Sequence, residues 1–172
     1  MDFIIFAVKI QVCSIMEGRF VLGVDPGLSG GIAVVGMDGV AVDVVSMPET
    51  MQDLLEYLRS WCSDDCTSVC YMEKVGFGMP GQSSKATATF SRHCGHLEMA
   101  LLSLGIPTNE VTPQKWMRHY QLGRSSDFSK GEWKNRLKSK AQQLFPREKV
   151  TLKVADALLI ALYGVRQEKG GV

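Results

Sequence analysis

Three acids in this sequence each close an apolar run: Asp25, Glu73 and Asp156. Phe20 to Val24 reads as a buried strand that stops on Asp25. Pro26 and Gly27 then turn the chain, Gly30 and Gly31 let the backbone pass close to the carboxylate, and Ile32 to Val35 returns as a second strand. Glu73 ends the β-type run Thr67 to Met72, and Asp156 falls in the first turn of a helix carrying Leu158, Leu159, Ala161 and Leu162. Carboxylates brought together repel one another unless a cation neutralises them, and hard oxygen ligands favour Mg²⁺ or Mn²⁺. Such an ion binds phosphate, lowers the pKa of a water and stabilises a leaving oxygen. Taken singly, each acid has a plainer reading: Asp25 as a turn former, Asp156 as a residue favourable to a helix dipole. Both readings stay open at this point.

The elements that must position these acids follow from periodicity and punctuation. Met37-Asp38-Gly39 is a tight turn, and Val40 to Met47 completes an antiparallel meander. Pro48 to Thr50 opens a helix ending near Cys62, and the run Thr67 to Met72 then pairs in parallel with an earlier strand through a right-handed crossover. If that partner is the first strand, Asp25 and Glu73 end side by side. Lys74 to Ser84 is an exposed loop bearing Phe77, a helix follows from about Lys85 to Leu104, and Ile106 to Val111 is a fifth strand. Thr112-Pro113 starts a short helix, Ser129 begins another through about Leu144, and Thr151 is expected to cap the last. Strands and helices in this order predict an α/β fold, a mixed five-stranded sheet flanked by helices, of the RNase H-like kind.

Composition bounds the partners. With 172 residues, 45% of them hydrophobic, the chain predicts one compact domain over residues 18–166, between an N-terminal extension at 1–17 and a tail at 167–172. The net charge of +1 hides an asymmetry: Lys115 to Lys149 carries ten Lys or Arg against three acids, or +7, leaving −6 elsewhere. That basic half suits a polyanion, or a solvated amphipathic helix. Five cysteines, odd in number and without a second zinc-type pair, point to buried thiols in a reducing, cytoplasmic setting. His93 and His96 lie three apart in the long helix with no acid or Cys to complete a metal set, so a core or interface role is expected. Met1 to Met16 is too short to span a bilayer and lacks a cleavage pattern, so no membrane partner is predicted.

Six stretches in this order resemble the RuvC-type Holliday junction resolvases. They are Gly23-Val-Asp25-Pro-Gly-x-Ser-Gly-Gly; Tyr71-Met-Glu73 leading into Met79-Pro-Gly-Gln-Ser83; Gly105-Ile-Pro107; Val111-Thr-Pro-Gln-Lys-Trp116; Ala141-Gln-Gln-Leu-Phe-Pro146; and Ala155-Asp-Ala-Leu-Leu-Ile-Ala161. The resemblance runs from about Arg19 to Gly164 and is closest to the shorter phage and prophage branch of bacteria. It implies a homodimer, four-way branched DNA as substrate, and Mg²⁺-dependent hydrolysis of two symmetric phosphodiesters in DNA recombination and repair, in a cytoplasmic, nucleoid-associated setting. By position it makes Asp25, Glu73 and Asp156 three of the family's four metal-binding acids.

The fourth acid is missing. Where the family usually has it, this chain has Leu152 and Lys153, one helical turn before Asp156. Lys153 is therefore expected to supply part of the second metal's charge at the catalytic cluster, or to face solvent, or to mark a protein that binds junctions without cutting them well. Glu148 is a weaker substitute. For DNA contacts, Lys115, Lys130, Lys134 and Lys138 suit phosphates, and Gln82 lies in a matching motif. Phe77 would wedge against unstacked bases, as a similar aromatic does in the resembling family, or anchor its own loop. An actin-like sugar kinase, which also begins on an Asp-Gly hairpin, would need a second such domain, which 172 residues cannot hold.

Overall fold

The computed structural model describes residues 18–62, 66–76 and 83–170. The N-terminal extension at 1–17, Phe77 and Gln82 lie outside the described residues. Five strands form one sheet: β1 (Gly18–Asp25), β2 (Gly31–Gly36), β3 (Ala41–Ser46), β4 (Cys66–Glu73) and β5 (Thr108–Val111), in the order β3-β2-β1-β4-β5. β1 is central, antiparallel to β2 and parallel to β4, and β4 is parallel to β5. The mixed sheet expected from the sequence is the one that forms.

Alternation along β1 divides the core in two. Phe20, Leu22 and Val24 face a layer that includes Leu54 and Leu58 of α1 (Met51–Arg59) and Leu97 and Leu101 of α2 (Ser84–Ser103). Val21 faces the other layer, with α3 (Pro113–Arg118), α4 (Lys130–Leu144) and α5 (Ala155–Glu168). α4 begins with a full capping box between Ser129 and Glu132, which fixes its first turn.

α5 is apolar nearly all round, because it lies inside the molecule. Its backbone rests directly on β1. A Cβ at Gly23 would stand 2.2 Å from the Ala157 carbonyl oxygen and 2.3 Å from the Ala161 nitrogen. Gly164 makes the reciprocal approach, where a Cβ would come within 2.5 Å of the Tyr71 ring. Two missing side chains therefore set the distance between the central strand and the helix that carries Asp156.

Two boundaries differ from expectation. β5 begins at Thr108 because Pro107 has no N–H to give a ladder, although its carbonyl accepts from Cys70 N at 2.8 Å. Thr151 does not cap α5: residues 152–154 form a turn, Val154 sits at the cap position without a side-chain bond, and the helix opens at Ala155. Val150 and Val154 are both buried, and their anchoring in the core holds this turn in place of a longer helix. Lys153 therefore lies in the turn, not on the helix.

Candidate active site

Parallel pairing puts two of the acids at one edge. Val24 is opposite Met72, so Asp25 and Glu73, each one residue further, leave adjacent strands at the same end of the sheet. The glycines after Asp25 let the backbone close around it. A Cβ at Gly30 would fall 2.0 Å from the Asp25 carbonyl oxygen and 3.1 Å from its carboxyl carbon. At Gly31 a Cβ would meet the Lys153 carbonyl oxygen at 2.9 Å, so the turn before α5 closes onto the hairpin and brings Asp156 to the same edge.

The electrostatics confirm the convergence. Burial pushes Asp25 up to about 8, and the carboxylates of Asp156 and Glu73 raise it further. Glu73 is pushed up to about 7, first by burial; the Trp116 indole opposes this and Asp156 adds to it. Burial also raises Asp156. Among the described residues, Lys134 of α4 is the one cation that acts on all three, lowering each. None of the three makes an ion pair among the described residues. Among those residues no three His, Cys, Asp or Glu side chains stand in a ready ligand set, and Glu73 Oε2 accepts from Trp116 Nε1 at 2.8 Å.

Other expected site residues fall differently. Lys115 and Lys130 are exposed and Lys138 half-buried, and none of them is a charge that shifts the three acids. Lys153 is exposed and lines a separate cavity with the Pro26–Ser29 turn. Glu148 sits half-buried in its loop. Neither Lys153 nor Glu148 acts on the three carboxylates.

Two participants escaped the sequence reading. Lys134 was expected on DNA, and in the structure its exposed charge also favours the ionised form of all three acids. Trp116 carried no expected role, yet it is fully buried and bonded to Glu73. Its signal was present: Thr112-Pro113 starts a helix at the end of β5, so a residue one turn in faces the end of β4. A cleft of about 490 Å³ opens beside Glu73, lined in part by Lys74, Phe90, Pro113 and Gln114.

No family model and no curated protein matches the sequence. Solved structures do. T. thermophilus RuvC in complex with a Holliday junction substrate superposes with a TM-score of 0.61 at 17% identity, over 88% of this chain and 96% of that one. A second Thermus thermophilus RuvC structure gives 0.57 at 18% identity, with the same coverage. The chain has the RuvC fold. At this identity the likeness speaks for architecture alone: a RuvC-like sheet with β1 at its centre. Among the described residues no helix is long and apolar enough to cross a membrane.

Proposed function

We propose that this protein is a divalent-metal-dependent, structure-selective endonuclease that resolves four-way DNA junctions by paired phosphodiester hydrolysis, a crossover junction endodeoxyribonuclease. The observation that carries it is the meeting of three half-buried carboxylates, from three separated segments, at one edge of a RuvC-like sheet. Such a cluster costs stability and is kept for what it binds. Its donor set, oxygen only and short of compensating charge, fits Mg²⁺, with Mn²⁺ able to substitute. Asp25, Glu73 and Asp156 would hold the ion, which when bound supplies a Lewis acid and an acidified water.

The chain's own residues do the rest. Glycines 30 and 31 let the hairpin backbone close against Asp25 and against the turn before α5, which holds that carboxylate in place. Lys134 offers an ammonium to a phosphate oxygen beside them, and the Trp116 N–H fixes one Glu73 oxygen, leaving the other to bind. Lys115, Lys130 and Lys138 hold the flanking backbone. Cutting two strands symmetrically calls for two copies, and the exposed Met99 and Leu102 of α2, at 61% and 73%, support a homodimer through that helix. The resemblance of the six motifs favours a bacterial or prophage protein acting in recombination and repair in the cytoplasm.

A second reading has its own observation. Leu152 and Lys153 stand where the resembling family has an acid, which favours a protein that binds branched DNA but cuts it weakly or not at all. A synthetic four-way junction incubated with the protein, with and without Mg²⁺, separates the two. Symmetric nicks that vanish in Asp25→Asn, with binding retained, establish the resolvase. Retention of the junction without nicks at any Mg²⁺ concentration establishes the binder.

A further inference from the structure

A second cavity, of about 610 Å³, lies between the Pro26–Ser29 turn, the first turns of α2 and Lys153. It shares only Phe90 with the cleft beside Glu73, and none of the three acids lines it. Its described polar lining is Ser29, Ser83, Lys85, Thr89, His93 and Lys153: two ammonium groups, three hydroxyls and an imidazole, with no carboxylate. Ser83 also caps α2, a helix of 20 residues whose first-turn N–H groups and dipole favour negative charge.

His93 points independently to a ligand. It is 3% exposed, and neither ring nitrogen has a hydrogen-bond partner among the described residues. A buried imidazole without a partner costs free energy, because at least one N–H has given up water for nothing. An acceptor in the cavity would remove that cost. Burial and His96 both hold His93 below its ordinary range, so at neutral pH it offers one N–H without adding charge.

The rest of the wall is apolar. The Phe90 ring packs on Gly27, where a Cβ would stand 3.0 Å from Phe90 Cε2 and where φ is +109°, so the ring and the hairpin hold each other. Leu28, 56% exposed, forms the rim. Cations and hydroxyls beside an apolar wall match a phosphate joined to a deoxyribose better than a free inorganic ion.

We propose that this cavity seats a non-scissile backbone phosphate of the DNA strand held at the carboxylates, with Lys85 and Lys153 as its counter-charges and His93 as its buried donor. The DNA part rests on the proposed function; the phosphodiester part does not. Lys153 thereby acquires a role outside the metal cluster: it grips the strand beside the Pro26–Ser29 turn.

The test follows the imidazole ¹⁵N and ¹H signals of the full chain labelled at histidine, with the His93 signal assigned by its loss in His93→Gln. Three probes are titrated: inorganic phosphate, a thymidine dinucleotide with one phosphodiester, and a four-way junction in Ca²⁺. The expected result is a saturable His93 shift with dinucleotide and junction, abolished in Lys85→Ala/Lys153→Ala. That double variant should also bind the junction roughly tenfold more weakly, with the salt dependence of log K reduced by about 2. A junction that binds without moving His93 overturns the assignment and leaves the proposed function standing. A junction that fails to bind removes the proposed function, and the dinucleotide arm still decides whether the cavity takes a phosphodiester. A response to inorganic phosphate alone overturns the nucleic-acid source, and a His93 shift that tracks protein concentration assigns the cavity to a contact between copies and overturns the proposal.

Discussion

Asp25 is a carboxyl group that the fold holds in its protonated form. With a pKa of about 8 in the folded protein and 3.8 as its ordinary value, the native state binds the extra proton throughout the interval between them. Stability of the metal-free protein therefore falls as pH rises from about 4 to 8, because deprotonation costs more in the folded state than in the unfolded one. Asp25→Asn removes that part of the slope, leaving the shallower part that the raised Glu73 and Asp156 contribute. Thermal melts in EDTA should show the variant less pH-dependent over this interval and a few kcal/mol more stable than the parent at pH 8, a gain of about 3 °C for each kcal/mol. Added Mg²⁺ should raise the parent's melting temperature and leave the variant's nearly unchanged.

Trp116 makes the opposite contribution at Glu73, stabilising the charged form through its indole N–H. Trp116→Phe keeps the ring and removes the donor. Glu73 should then titrate above about 7, moving the acidic limb of the cleavage profile to higher pH and raising half-saturation by Mg²⁺ roughly tenfold, with little change at alkaline pH. A simple loss of packing would instead lower the rate equally at every pH. None of this was visible in the residue itself, because a tryptophan in an amphipathic stretch reads as core, and Trp116 is indeed core. What escaped was that one polar atom of a core residue meets a carboxylate 43 positions earlier, a pairing made by the β4–β5 register.

At the scale of elements, the strands and their order were legible because each carries its own punctuation: Asp25-Pro-Gly ends β1, Met37-Asp38-Gly39 separates β2 from β3, and the crossover between β3 and β4 forces a parallel neighbour. The start of α5 was not legible. Thr151 looks like a cap, but whether a helix begins there depends on Val150 and Val154 being drawn into the core, which is a tertiary decision. That displacement moved Lys153 off the helix and away from the place its spacing gave it. The contact of α5 with β1 yields a sharp expectation. Gly23→Ala places a methyl group against helix backbone that has no flexible side chain to yield, so it should cost several kcal/mol or abolish folding. Chemical denaturation of the variant, with Gly105→Ala as a control at an open position of positive φ costing about 1 kcal/mol, measures the difference.

For the whole molecule, the charge asymmetry read from composition becomes a division of labour. The basic segment from Lys115 to Lys149 forms α3, α4 and their connections on one face of the sheet, and among the described residues Lys134 is the cation whose charge acts on all three acids. Lys130 and Lys138 should therefore act through the polyanion alone. Replacing both by Ala should weaken junction binding at low salt and flatten its salt dependence by about 2, while the single-turnover rate of bound junction stays within a few-fold of the parent. Filter binding across salt concentration and quenched-flow cleavage check the two halves separately.

The glycine contact between β1 and α5 also bears on how the chain folds. Asp25 and Glu73 come together when β4 pairs with β1, but Asp156 reaches them only when α5 docks on the finished sheet, a contact between the two ends of the described chain. Much of the mutual repulsion of the acids is thus postponed to a late step of high sequence separation. Divalent ions and low pH should quicken that step, so the slowest refolding phase of the metal-free protein lengthens as pH rises from 5 to 8 and shortens again on addition of Mg²⁺.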